Sequence, residues 1–275
     1  MRLRIIKHTP AYWQVTIDNP PLNLFDPELG DELSSLVTDL ERNSEIKVVV
    51  FDSANPDYFI AHIDLIRSAE FDLAPRPATG LPTWPDVARR FELASFLTIA
   101  SVRGRARGVG SEFIQAMDVC FASKERAKLA QIEIGCGLIP GGGGLERLPH
   151  LIGRRRALEV IIGGEDFNAE TAALYGWINR AIPDDDLDGF VDRFARRVAS
   201  FEKDAIAAAK KIIYKRTGLV KTEEFLESED AFFEAISWPG TQKRITEIMK
   251  MGFQQPGEFE LELATQLGPR EPVLF

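Results

Sequence analysis

The sequence predicts an α/β fold followed by a helical region, and three patterns support this prediction. The first fifty residues show two short strands, a helix and a third strand, an order typical of α/β proteins. The third strand, Ile46–Phe51, is nearly all β-branched or apolar, as expected of a strand buried on both faces. Helical periodicity dominates from about Leu187 to Met251, with a break near Trp238.

The first two strands and the first helix are predicted from alternation and from a start signal. Leu3–Ile6 and Tyr12–Asp18 are predicted strands, the second because apolar and polar residues alternate along it. A helix is predicted to begin at Asp26, since this residue offers a side-chain acceptor and Pro27 suits the first helical position. Its apolar residues recur at helical spacing and predict a buried stripe: Leu29, Leu33, Leu36, Val37 and Leu40.

The middle of the chain contains an irregular segment between regular elements. Arg67–Pro85 carries four prolines and no clean period, which predicts either a mobile excursion over a site or a plain surface loop. Regular structure is predicted to return as a helix at Asp86–Ser95 and a strand at Leu97–Val102. A glycine-rich turn, a short helix from about Ser111 and a strand at Val119–Ala122 are predicted to follow.

Composition and charge argue against several classes of protein. The 275 residues are 45% hydrophobic and 27% charged, which is typical of a folded globular chain, and the net charge is −9. An acidic chain is a poor match for nucleic acid or an anionic membrane surface, so neither is expected as a partner. The short basic clusters Arg103–Arg107 and Arg154–Arg156 are interpreted as solvated surface charge, or as a rim for a phosphate-bearing ligand.

Targeting, membrane and metal signals are not recognised in the sequence. The first residues lack a signal-peptide pattern and no apolar run approaches ~20 residues, so a soluble cytoplasmic protein is expected. Cys120 and Cys136 are predicted to be buried small hydrophobes rather than a disulfide. His8, His62 and His150 lie far apart in sequence, so no metal site is predicted.

Glycine-rich segments invite a nucleotide-binding interpretation, which their spacing contradicts. Gly108–Phe113 has phenylalanine where a dinucleotide fingerprint needs its third glycine, and the same residue breaks a GxSxG nucleophile elbow at Ser111. Gly135–Pro140 fails the fingerprint because proline takes the last position. Gly141–Gly144 is not followed by the Lys-Ser/Thr pair of a P-loop. Neither a Rossmann nor a P-loop nucleotide site is predicted.

Four stretches in one order carry the strongest functional signal. They are Val15–Asn23, Tyr58–Leu65, Thr98–Phe113 and Leu129–Leu148. In that order they resemble the crotonase (enoyl-CoA hydratase/isomerase) superfamily, which shows a strand ending near Asn-Pro, then F-x-A-G-x-D-L, I-A-x-V-x-G-x-A-x-G-G-G-x-E and F-x-x-P-E-x-x-x-G-x-x-P-G-x-G-G-x-x-R-L. The matches run from about residue 12 to residue 183, well over half of the chain.

This resemblance implies a fold, an assembly and a substrate. The fold is a crotonase-like spiral of ββα turns, with residues 1–200 as the core that carries the active site. Residues 201–275 would form a helical region that covers the acyl site and mediates oligomerisation, giving a homotrimer or a dimer of trimers. The implied substrate is an acyl-CoA thioester; coenzyme A enters as part of the substrate, and no further cofactor is expected.

By the same resemblance, the backbone N–H groups of Ile63 and Val109 form an oxyanion hole for the thioester oxygen. Two such donors stabilise the developing negative charge, each by about 3 kcal/mol, and the helix start after Gly108 adds to the effect. The family usually has glycine where this chain has His62 and Val109. Val109 is therefore expected to strain the turn and narrow the pocket. His62 is interpreted as an exposed loop residue, or as one that touches substrate or nucleotide.

Two glutamates match the catalytic positions of hydratases in this family. Glu112 follows the glycine-rich turn, and Glu133 follows Ile132, which replaces the family's proline. Paired carboxyl groups can hold a water against the β-carbon and deliver a proton to the α-carbon. Glu133 is the predicted proton donor. The alternative is that Glu112 is only a first-turn helix acid and Glu133 a solvated strand-end residue. Glu146, Glu165 and Asp166 match no such position and are interpreted as surface acids.

The leading functional prediction is syn hydration of a 2-enoyl-CoA to a 3-hydroxyacyl-CoA. Double-bond isomerisation, which can run on a single glutamate, is the alternative, together with hydrolysis or C–C cleavage on the same fold. A non-catalytic binding or assembly role stays open because of the changes at His62, Val109 and Ile132. The substrate-binding residues implied by the resemblance are Asn23, Ala61, His62, Asp64, Gly108, Gly110, Pro140 and Gly141.

Overall fold

The structure of the protein is a computed structural model that describes residues 1–73, 77 and 79–269. Residues 74–76 and 78, which belong to the predicted excursion, lie outside the described residues. The same holds for residues 270–275 at the end of the predicted helical region.

Ten strands form two sheets in the described part of the chain. Their bounds are β1 Leu3–Thr9, β2 Tyr12–Ile17, β3 Val48–Ser53, β4 Tyr58–Ile60, β5 Leu97–Val102, β6 Arg105–Arg107, β7 Val119–Ser123, β8 Lys128–Ala130, β9 Phe167–Asn168 and β10 Arg180–Ile182. The larger sheet has the order β1-β2-β3-β5-β7-β10, with β1 antiparallel to β2 and all other neighbours parallel. The smaller sheet has the order β4-β6-β8-β9, and only β9 runs antiparallel.

Helices connect these strands and then continue alone. Their bounds are α1 Pro27–Arg42, α2 Ser68–Leu73, α3 Thr83–Leu93, α4 Val109–Ala116, α5 Gly144–Ile152, α6 Arg154–Gly163, α7 Ala169–Tyr175, α8 Asp184–Ala199, α9 Lys203–Thr217, α10 Thr222–Ser237, α11 Pro239–Lys250, α12 Glu258–Leu261 and α13 Leu263–Leu267. The predicted break near Trp238 separates α10 from α11, because Pro239 begins the second helix. The predicted α/β fold with C-terminal helices is confirmed.

Local signals explain where α1 begins and which face it buries. The Asp26 carboxylate accepts a hydrogen bond from the backbone N–H of Leu29 at 2.8 Å, so the predicted cap is present. The predicted apolar stripe of α1 is buried along its whole length. Such burial places this helix against the core below the parallel strands.

The segment predicted to be irregular contains α2 and the start of α3, which corrects that prediction. α3 begins at Thr83, ahead of the predicted start, because Trp84, Val87 and Phe91 bury one apolar face of it. Pro85 lies in the first turn of α3, where a helix has no intrahelical partner for the missing N–H. Because of these prolines, the helical period of the segment could not be recognised in the sequence.

Helices cover both faces of the larger sheet and one end of the smaller sheet, and this packing determines where a site can lie. Phe51 meets Phe91 and Phe113 edge to face at 5.2 and 5.3 Å, which fixes α3 and α4 on one face of the larger sheet. α8 covers the opposite face. The C-terminal helices pack on a separate cluster that includes Ile132 and Cys136, so the region after residue 200 covers the end of the smaller sheet. The division of the chain at residue 200 stays a prediction.

Two further predictions concern cysteines and the membrane. Cys120 and Cys136 are both buried and unbonded to each other, which confirms that they are small core residues. Within the described ranges, none of the helices combines the length and the apolar run that crossing a bilayer would require.

Candidate active site

A deep cleft opens at the end of the smaller sheet. Its empty space is about 880 Å³, counted with the open mouth. Strands β4, β6 and β8 are parallel neighbours, so their carboxyl ends meet at one edge. Ile63, Val109 and Glu133 follow those three ends and all line the cleft. The order of the elements therefore brings together residues that are about seventy positions apart in sequence.

The two predicted oxyanion donors lie between amides that already have partners. The N–H of Phe25 donates to the His62 carbonyl, and the N–H of Asp64 donates to the Phe25 carbonyl, both at 2.9 Å. These bonds hold the intervening Ile63 in an isolated bridge to Phe25. In the described part of the chain, neither the Ile63 nor the Val109 N–H donates to another group. Both remain available to an oxygen in the cleft.

Val109 is not strained by its position after the glycine-rich turn. The positive φ of 51° falls on Gly108, which is the helix cap, and Val109 is the first residue of α4. Its N–H thus belongs to the positive end of the helix dipole. The prediction of strain at Val109 is wrong, because glycine carries the left-handed conformation one residue earlier. The Val109 side chain does line the cleft.

Glu112 lies on the first turn of α4 and is buried, with 2% of its surface exposed. One carboxylate oxygen accepts hydrogen bonds from the backbone N–H groups of Gly142 and Gly144, each at 3.0 Å. Burial raises the pKa of Glu112 to about 7, although these two N–H groups oppose the rise by favouring the charged form. Glu146 nearby adds to the rise through its charge.

Glu133 lies at the cleft wall on the chain that follows β8. Its carboxylate has one weak side-chain donor, the Gln131 amide nitrogen at 3.3 and 3.4 Å. Burial, followed by the charge of Glu112, raises the pKa of Glu133 to about 8. A β-carbon placed on Gly108 would lie 2.9 Å from a Glu133 carboxylate oxygen. Glu133 is therefore directly against the turn that carries Val109.

The interpretation of His62 as an exposed loop residue is wrong, since 2% of its surface is exposed. The His62 Nδ1 lies 2.7 Å from the Ile63 carbonyl oxygen and Nε2 lies 2.9 Å from a carboxylate oxygen of Glu260. Its ring stacks on Phe253 at 4.5 Å between centroids. Sequence reasoning could not find Glu260, because 198 residues separate it from His62 and it follows no motif.

The interpretation of Arg107 as solvated surface charge is also wrong. Arg107 is fully buried and donates to both carboxylate oxygens of Asp166 at 2.8 and 2.6 Å. It also donates to the backbone carbonyls of Glu260 and Leu261. Asp166, interpreted as a surface acid, is the counterion that makes this burial possible.

The predicted substrate-binding residues divide into two groups. His62, Gly108 and Gly141 line the cleft with the glutamates and the oxyanion donors. Five others do not line it: Asn23, Ala61, Asp64, Gly110 and Pro140. Asn23 is buried, and its amide nitrogen bonds Ser53 and backbone carbonyls, which fits a structural role. Contact of these five residues with substrate stays a prediction.

An aromatic wall of the cleft was not predicted. Its members come from five separated parts of the chain: Phe25, Phe71, Trp84, Phe232, Phe233 and Phe253. They share no motif, so no sequence signal marks them as a set. Part of the irregular segment does border the site, through α2 and the start of α3. Within the described residues, no three His, Cys, Asp or Glu side chains converge as a metal centre requires.

This protein is a crotonase-fold enzyme. Its parallel strands end at one cleft, which contains two unpaired backbone donors and a buried pair of carboxyl groups. The chain belongs to the enoyl-CoA hydratase/isomerase family, whose sequence profile matches residues 9–253. The family predicted from the four stretches is confirmed.

Similar proteins agree with this assignment. A solved structure described as a candidate enoyl-CoA hydratase from Streptomyces avermitilis is 37% identical and superposes with a TM-score of 0.92, covering 98% of this chain and 97% of that one. A short-chain-enoyl-CoA hydratase from Clostridium acetobutylicum is 28% identical over 238 residues, 86% of this chain and 90% of the relative. The fatty acid oxidation complex subunit alpha of Aliivibrio fischeri is 28% identical over 67% of this chain, which spans 27% of that longer protein.

Proposed function

We propose that this enzyme adds water across the double bond of a 2-enoyl-CoA, with syn geometry, to give a 3-hydroxyacyl-CoA. The observation that carries the proposal is the pair of carboxyl groups in one cleft. Glu112 and Glu133 both have raised pKa values, and their hydrogen-bond partners differ. A single glutamate would suffice for isomerisation, so the second one favours hydration. The similarity to a protein named short-chain-enoyl-CoA hydratase supports the same reaction.

The thioester oxygen is proposed to accept hydrogen bonds from the Ile63 and Val109 N–H groups. As hydroxide character adds to C3 of the substrate, electrons move through C2 to this oxygen and create an enolate. Backbone donors fixed in advance stabilise that charge, by about 3 kcal/mol each, without reorganising during the reaction. The N-terminal end of α4 contributes in the same direction.

The two glutamates then move the protons. The Glu112 carboxylate, with its charged form favoured by two N–H donors, accepts a proton from water as the oxygen bonds to C3. Glu133, which holds its proton to higher pH, donates it to C2 as the enolate collapses. One water is consumed, and the product carries its hydroxyl on C3 and its new hydrogen on C2. Glu133 regains a proton from Glu112 or solvent before the next turnover.

Several features of the proposed function rest on family resemblance. Coenzyme A is proposed to enter as part of the substrate, with no further cofactor. Residues 201–275 are proposed to mediate a homotrimer or dimer of trimers as well as to cover the acyl site. A cytoplasmic location, expected from the sequence patterns, is proposed as well.

The test is hydration of crotonyl-CoA and of longer and aromatic 2-enoyl-CoAs, followed as loss of the conjugated thioester absorbance. Glu112→Gln and Glu133→Gln are each expected to lower kcat by roughly 10²–10⁴-fold, the usual contribution of a positioned acid or base. Glu227→Gln, on an exposed face of α10, is the matched control. Loss with Glu133→Gln alone would favour isomerisation. Wild-type protein that binds these esters without turnover would contradict hydration, and absent binding would favour a non-catalytic role.

A further inference from the structure

Both ring nitrogens of His62 face hydrogen-bond acceptors. Nδ1 lies against the carbonyl oxygen of Ile63, and Nε2 lies against the carboxylate of Glu260. A carbonyl oxygen and a carboxylate oxygen accept hydrogen bonds, so each ring nitrogen lies against a group to which it can donate. Burial alone would raise the pKa of Glu260, but His62, the Gln254 N–H and the charge of Arg107 together outweigh it and lower that pKa. The pair is therefore a buried, hydrogen-bonded contact that adjoins Ile63.

Glu260 touches both loops that carry the proposed oxyanion donors. Its carboxylate bonds His62, the residue before Ile63, and its backbone carbonyl accepts from Arg107 at 2.8 Å. Arg107 precedes Gly108 and Val109 in the second loop. One residue near the C-terminus thus fixes the approach of two loops that lie 46 residues apart, from Ile63 to Val109.

Gln254 extends the same contact along the first loop. Its side-chain oxygen accepts from the backbone N–H groups of Leu65 and Ile66, and its side-chain nitrogen donates to Asp64 at 2.7 Å. Its own N–H donates to Glu260 at 2.9 Å. Gln254 has a φ of 61°, a conformation that favours glycine. A residue other than glycine adopts this backbone conformation only where several surrounding interactions hold it there. Residues held in this way are frequent at functional sites.

We propose that the His62–Glu260 contact positions the oxyanion hole, by holding the Ile63 and Val109 N–H groups at the spacing that one thioester oxygen requires. The inference rests on the proposed function, because it assigns these two donors a common oxygen. His62 and Glu260 act as positioning residues through the backbone of their neighbours. A glycine in place of His62 would lack the side chain for this contact.

A purely stabilising role is the competing explanation, and the chain offers a matched control for it. Lys210 and Asp118 form a second buried contact that involves a carboxylate, an ion pair with a distance of 2.7 Å and side chains 6% and 7% exposed. Neither residue lines the cleft. Asp118→Asn makes the same carboxylate-to-amide change as Glu260→Gln, so it reports what the loss of a buried ion pair does to folding alone.

The kinetic test compares His62→Gln, Glu260→Gln, the double variant and Asp118→Asn, each normalised to folded enzyme. Positioning predicts that kcat falls at least ~10-fold in both single variants, since misplacement of about 1 Å can cost ~100-fold. KM should change much less than kcat, because the two donors bond the enolate oxygen of the transition state more strongly than the oxygen of the bound thioester. The double variant should be no slower than the slower single variant, since both changes break one contact. Unchanged kcat in folded His62 and Glu260 variants would overturn the proposal.

A second readout needs no turnover and separates this inference from hydration itself. Infrared spectra of bound butyryl-CoA, labelled with ¹³C at the thioester carbonyl, report hydrogen bonding to that oxygen. The carbonyl band should move to lower frequency on wild-type enzyme and on Asp118→Asn, and return towards the free value on the His62 and Glu260 variants. That result would uphold the inference even if hydration were absent. A wild-type band that does not move, or variants that keep the wild-type band, would refute it.

Discussion

Glu112 and Glu133 share one cleft but have different hydrogen-bond partners, and this difference assigns their roles. Two backbone N–H groups favour the ionised form of Glu112. Glu133 has a weak amide donor and faces the negative charge of Glu112, so it keeps its proton to higher pH. Two carboxyl groups whose surroundings separate their pKa values can act as base and acid in one reaction.

The first prediction at this scale is the pH dependence of kcat/KM. The rate should rise as Glu112 ionises, with its pKa raised to about 7, and fall as Glu133 loses its proton, with its pKa raised to about 8. Both limbs belong to the pair, because the groups interact. Stopped assays of crotonyl-CoA hydration between pH 5 and 10 would measure them. A flat profile down to pH 5 would contradict an acid–base role for these carboxyl groups.

A second prediction concerns stability and follows from the same burial. The folded-state pKa of Glu133 is raised to about 8, so folding disfavours its charged form. The contribution of protonated Glu133 to the free energy of unfolding is fully present below the ordinary glutamate range. This contribution is lost as pH rises through about 8. Glu133→Gln should therefore melt higher than wild type at pH 8.5, by at least ~2 °C, with a smaller difference at pH 5. Calorimetry at both values, with exposed Glu227→Gln as control, would show the pattern; an equal difference at both would oppose it.

At the scale of elements, prediction succeeded where a pattern is local or where topology brings motif ends together. The burial of α1 follows from its own spacing, and Glu133 reaches Gly108 because β6 and β8 are parallel neighbours. The start of α3 was not predicted, since prolines in the preceding segment obscured its helical period. The His62–Glu260 contact escaped for another reason: it joins distant segments through side chains, and no short-range pattern encodes such a pair.

The close packing of α4 on β4 gives a prediction for this pair of elements. A β-carbon on Gly110 would lie 2.3 Å from the backbone carbonyl oxygen of Ile60, so the strand itself would have to move. Gly110→Ala should cost roughly 1–3 kcal/mol of stability, the range for overpacked cores. Gly163→Ala is the matched control, because nothing lies within 4 Å of a β-carbon there and alanine favours the helix. Thermal melts of the two variants should differ in sign; a neutral Gly110→Ala would disprove the contact.

For the whole molecule, α9 is the element least explained by a single chain. Of its 15 residues, Lys210 alone is buried. Ile212 and Ile213 are 48% and 59% exposed although both are large and apolar. A helix that leaves two adjacent isoleucines exposed is typical of an interface rather than a solvated surface. This placement agrees with the predicted role of residues 201–275 in assembly.

The last prediction is that α9 contributes to the interface between copies of the chain. Replacing both isoleucines, Ile212→Asp with Ile213→Asp, puts two charges into a surface that association would desolvate. Light scattering should give wild type about three times the chain mass of 30.7 kDa, or twice that product for a dimer of trimers. The double variant should shift towards the single-chain mass.

Leu93→Asp, at an equally exposed apolar residue outside residues 201–275, is the control. Because Ile212 and Ile213 are not buried within the chain, their replacement should leave the fold seen by circular dichroism intact. An unchanged mass for the double variant would place the interface elsewhere.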